Sequence, residues 1–86
     1  MNKTERRLKV RDILIRVKTI MVDIHKRGGF IPANIELIEN AIEEIDSILT
    51  DREVMQDEAL YEAFEPISQS YKRLRENYAK ITGNKK

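Results

Sequence analysis

Residues 31–49, Ile31-Pro-Ala-Asn-Ile-Glu-Leu-Ile-Glu-Asn-Ala-Ile-Glu-Glu-Ile-Asp-Ser-Ile-Leu49, decide how the rest of the chain is read. Wound as an α-helix, Ile35, Leu37, Ile38, Ala41, Ile42, Ile45, Ile48 and Leu49 fall within an arc of about 160° at about 100° per residue. Glu36, Glu39, Asn40, Glu43, Glu44, Asp46 and Ser47 occupy the opposite arc. A helix that packs against one neighbour needs an apolar stripe of only about 100°. The wider arc predicts a central helix with a neighbour on each side.

Working outward toward the N-terminus, Val10, Ile13, Leu14, Val17, Ile20, Met21 and Ile24 recur at alternating steps of three and four, the seam of a first helix over 4–27. Thr4 is a candidate N-cap, with Glu5 in the first turn. His25, Lys26 and Arg27 suit the last turn, and Gly28-Gly29 supplies a left-handed cap. Phe30 and Ile31 are expected to plug the end of a bundle, and Pro32 fits the first position of a second helix over 32–49.

Toward the C-terminus, Thr50-Asp51-Arg52-Glu53 matches the S/T-x-x-E capping box, so a helical turn is expected over 51–56. Leu60, Phe64, Ile67, Tyr71, Leu74, Tyr78 and Ile81 form a third long stripe, over 57–81. Val54 and Met55 are out of phase with it. A break near Gln56-Asp57 follows, with Asp57 as a second N-cap. Pro66 lies inside the third stripe but off its seam, where a kink is expected rather than a split. Residues 82–86 read as a cap and a frayed basic tail. The reading is all-α: a small antiparallel up-down-up three-helix bundle, with 1–86 as a single domain.

Composition narrows the chemistry. There is no cysteine, which removes disulfides, thiolate metal ligation and a cysteine nucleophile together. No run of 18 or more apolar residues marks a membrane span, and the start MNKTERRLKVRD has no apolar core of a secretory signal. A cytoplasmic location is the default expectation. The net charge of +1 conceals segregation: residues 1–29 carry nine Lys/Arg against three Asp/Glu, residues 30–65 one against eleven, and residues 66–86 six against one. An acidic middle between two basic flanks either steers assembly of the bundle or offers a charged face to a partner.

No constellation of residues carries catalysis. His25 is the one histidine, placed as a dipole partner at a helix end. Glu36, Glu39, Glu43 and Glu44 lie on the polar arc without the Glu-x-x-His pair of carboxylate metal sites in bundles. Gly28-Gly29 lacks the strand and the Lys-Ser/Thr pair of a phosphate loop. Tyr71 and Tyr78 sit on the core stripe, whereas Tyr61 lies off it. No enzyme activity, metal, cofactor or small-molecule ligand is expected.

The informative irregularity lies on the first helix. Leu8, Ile15 and Val22 are seven residues apart on the face turned away from the seam. Arg11 and Lys18 edge this second stripe on one side, and Asp12, Thr19 and Asp23 on the other. An apolar line at heptad spacing with charged edges is how coiled-coil and helix-in-groove contacts are written. Leu8, Arg11, Ile15, Lys18 and Val22 are therefore the candidate partner-binding residues. The expected function is a non-enzymatic protein-protein interaction module, such as a small adaptor, an inhibitor or an immunity- or antitoxin-like protein. Its partner would be another protein, a second copy in a homodimer, or both. The alternative is a small nucleic-acid-associated regulator using Arg6, Arg7, Lys9, Arg11, Arg16 and Lys18 with the basic C-terminus.

Overall fold

The computed structural model describes residues 2–83. They are all-helical, with no strand among them. Helix α1 spans Lys3–Lys26, α2 Ile35–Leu49, α3 Arg52–Met55 and α4 Glu58–Thr82. A single 3-10 turn, Pro32–Asn34, precedes α2. Residues 84–86 of the expected tail lie outside the described residues.

The helix ends follow local hydrogen bonding. Asn2, not Thr4, caps α1: its Oδ1 accepts from the Glu5 N–H at 2.8 Å, and its Nδ2 donates to Glu5 Oε1 at 3.0 Å. The correction reflects which side chain reaches the third helical amide, since Asn serves as well as Thr in that role. At the other end, the Gly29 N–H donates to Ile24 O at 2.8 Å and the Gly28 N–H to His25 O at 3.4 Å. These two bonds, with φ of +104° at Gly28 and +92° at Gly29, form a Schellman cap.

The expected start of the second helix at Pro32 is also corrected. Pro32 opens the 3-10 turn, and α-helical geometry begins at Ile35. Asn34, buried at 5% exposure, ties that turn down: its Nδ2 donates to Arg27 O at 3.1 Å and to Gly29 O at 2.7 Å. Phe30 packs against the core as expected. Ile31 does not plug the bundle: it is exposed, its side chain lying over Gly28.

The capping box is displaced by one residue. Thr50 has helical dihedrals, and its hydroxyl donates back to Asp46 O, so it finishes α2. Asp51 is the extended residue, and its carboxylate accepts from the N–H groups of Glu53 and Val54. The break at Gln56-Asp57 stands where expected, with Asp57 capping α4 through the Ala59 N–H at 3.1 Å. α4 runs unbroken through Pro66 and ends at Gly83, whose φ of +69° is left-handed.

One apolar cluster draws on all four helices: Val10, Ile13, Val17 and Ile24 from α1, Ile38, Ala41, Ile42, Ile45 and Ile48 from α2, Val54 from α3, and Leu60, Phe64 and Leu74 from α4. Helix α2 packs against both α1 and α4, as the width of its apolar arc requires, whereas α1 and α4 touch each other little. That asymmetry leaves Leu14 and Met21, two residues of the α1 seam, only half-buried.

Candidate interaction surface

Leu8, Ile15 and Val22 stand on the outer face of α1 with 54%, 53% and 50% of their surface exposed. Lying seven residues apart, they follow each other about 10.5 Å apart along the axis at 1.5 Å per residue. Arg11 and Lys18 run along one edge of the line, both exposed and neither in an ion pair among the described residues. On the other edge, the Thr19 hydroxyl donates to Ile15 O at 3.0 Å. The five candidate residues therefore share one continuous exposed surface.

Other cations of α1 are engaged within the chain. Arg7 makes a two-pronged contact with Asp57, Nε to Oδ2 at 3.0 Å and a second nitrogen to Oδ1 at 3.1 Å. The Asp57 side chain is only 4% exposed, and the hydrogen bonds from Arg7 hold its carboxyl below the usual carboxylate range. Asp57 thereby caps α4 and anchors it to α1 with one group. Arg16 pairs with Glu44 of α2 at 2.7 Å, and Arg6 with Glu53 of α3. Three of the basic residues proposed for phosphate contact thus face carboxylates of the acidic middle segment.

The acidic arc of α2 is not simply solvated. The Tyr71 hydroxyl donates to Asp46 and the Tyr78 hydroxyl to Glu39 Oε2 at 2.8 Å. Arg75 donates in turn to the Tyr71 oxygen at 3.3 Å, from above its ring. These hydrogen bonds favour the neutral phenols, so both tyrosines titrate above their ordinary value. A raised folded-state value makes the contribution to stability full below the unfolded pKa of about 10, and lost as pH rises through the folded values. Above those raised values each tyrosinate would face a carboxylate. In an alkaline titration followed by near-ultraviolet absorbance, the Tyr71→Phe/Tyr78→Phe variant should lose the late-ionising part of the curve. It should also lose less stability than the wild-type chain over that range. Identical alkaline stability profiles would show that these hydroxyls contribute nothing.

Next to the exposed stripe lies a feature absent from the sequence-based reading. Leu14, Val17 and Met21 of α1 and Ala63, Pro66, Ile67 and Ser70 of α4 line an open, mainly apolar groove of about 480 Å3, with Arg11, Ile15 and Lys18 on its α1 wall. It exists because α1 and α4 each follow α2 and barely meet. Its α4 wall is low at Ala63, Pro66 and Ser70, where the residues are small. Their spacing at 63, 66 and 70 was the available signal.

His25 is exposed at the end of α1 and Tyr61 is exposed on α4. Among the described residues, no helix is long and apolar enough to cross a membrane. Compared with protein-family models, curated proteins and solved structures, the chain matches none.

Proposed function

We propose that this chain is a non-enzymatic protein-protein interaction module, a single-domain antiparallel up-down-up three-helix bundle that binds through the outer face of α1. Support for the antiparallel arrangement comes from register. Moving seven residues forward on α4, from Tyr71 to Tyr78, is matched by moving seven backward on α2, from Asp46 to Glu39. The observation that carries the functional reading is the exposure of Leu8, Ile15 and Val22 while every large apolar residue of the seam is at least half-covered. Three aliphatics in a row on water are unfavourable unless something covers them. An adaptor, an inhibitor or an immunity- or antitoxin-like protein would use such a face, and a second copy in a homodimer is the cover that needs no other component. The nucleic-acid reading is weakened by the engagement of Arg6, Arg7 and Arg16 with carboxylates.

The test is Ile15→Lys. Because Ile15 is half in solvent, helicity and thermal stability should be nearly unchanged, within about 0.5 kcal/mol, as for other surface substitutions. Sedimentation velocity should then show a wild-type dimer that becomes monomeric in the variant. A monomeric wild type removes self-association. Unfolding of the Ile15→Lys monomer would place the stripe in the core and remove the whole reading.

A further inference from the structure

We infer that the groove between α1 and α4 is the seat of an acidic amphipathic helix supplied by another protein. This deepens the interaction reading and rests on it. The groove runs where a fourth helix would complete the packing, opposite α2, and helices pack with axes about 8–10 Å apart when the side chains between them are small or interdigitate. Leu14, Met21 and Ile67 give it an apolar floor, while Ala63, Pro66 and Ser70 keep one wall low enough for close approach.

Charge specifies the occupant. Arg11 and Lys18 stand on the α1 wall, two helical turns apart, with no ion-pair partner among the described residues. Arg7 and Arg16, elsewhere on the same helix, are each held by a carboxylate. A guest helix lying along α1 would meet those two cations with Asp or Glu at positions i and i+7 beside its apolar seam. Such pairs select the partner and its register.

The same charges argue against a second copy in this seat. A two-fold contact is isologous, so the same patch of each copy meets itself. Run antiparallel, the two α1 walls would set Arg11 and Lys18 against the cations of the other copy; run parallel, they would face the α4 wall, whose lining residues carry no acid. Seating the outer stripe of one copy in the groove of the next is instead a heterologous contact, which builds a filament unless it closes into a ring. Nor does α2 supply the guest, because its apolar arc is buried in its own core.

The probe is a display library on a single-helix scaffold with one randomised face, selected against the full chain. Selected helices should carry Asp or Glu flanking an apolar seam. Their affinity should fall about tenfold or more for the Arg11→Glu/Lys18→Glu variant, whose fold is verified by circular dichroism. It should also fall with added salt. Chemical-shift changes on binding should centre on Leu14, Met21, Ala63 and Ile67. Recovery of neutral or basic helices, or affinity indifferent to the charge reversal, overturns the inference. Binders that shift only Leu8, Ile15 and Val22 retain the interaction reading but remove the groove as the seat. Dilution-dependent shifts at the groove residues of the chain alone would assign the seat to a second copy and overturn it as well. Failure to recover any binder, together with a monomeric wild type, would remove both readings.

Discussion

Ile45→Ala should lower the unfolding free energy by about 2–5 kcal/mol, and Ile38→Ala should do the same. Both side chains are fully buried, at 0% exposure, on the helix that packs against two others. Truncation removes the transfer energy of the deleted methylenes and leaves a cavity, because backbones held by a short turn and by cross-helix ion pairs have limited room to close it. A chain of 86 residues has about 4–13 kcal/mol of stability in all, at about 0.05–0.15 kcal/mol per residue. The loss is therefore large enough to leave part of the population unfolded. Chemical denaturation measures it directly. A midpoint shift worth well under about 1 kcal/mol would mean that α2 is not where the core is anchored.

Asn34→Ala should cost about 1–3 kcal/mol although it removes no apolar contact. The Asn34 amide donates to two carbonyls, of Arg27 and Gly29, inside the connection between α1 and α2. Alanine leaves both carbonyls without that partner in a site that is 5% exposed. Asn34→Asp should be at least as damaging, because it puts a carboxylate oxygen where the donor stood, facing two carbonyl oxygens. Asn34→Asp as stable as wild type would show that the amide bonds do not hold the turn.

These two positions also mark how far the sequence could be read. Ile45 and Ile38 were visible because burial on a helix obeys a period, and a period is written in one dimension. The stripe of α4, the break before Asp57 and the exposure of Leu8, Ile15 and Val22 follow from the same rule. Asn34 was not visible. Its importance lies in carbonyls that only the folded loop brings within reach. The helix caps at Asn2 and Asp51 were misplaced by two residues and one residue for a related reason: several side chains could cap, and local dihedrals chose. Pairs such as Arg7 with Asp57, or Tyr78 with Glu39, join positions far apart in the chain. Charge segregation announced that the middle segment would attract its flanks, but not which residues would meet. The groove was hidden more deeply. The small residues at 63, 66 and 70 mark a low wall, but the groove depends on two helices not touching, and no pattern along either one records that gap.

The unequal packing of the three long helices has a consequence in time. The connection from α1 to α2 closes over a few residues, whereas Arg7 and Asp57 close a loop of 50. For flexible chains, loop-closure entropy grows as 1.5 RT times the logarithm of loop length, so the longer closure costs roughly 1.7 kcal/mol more. The α1–α2 hairpin is therefore the expected folding nucleus, and α4 the last element to dock and the first to leave. An excursion that releases α4 uncovers the floor of the groove along with its own apolar stripe. A helix bound across α1 and α4 would hold that last-made junction closed, slowing unfolding far more than it speeds folding.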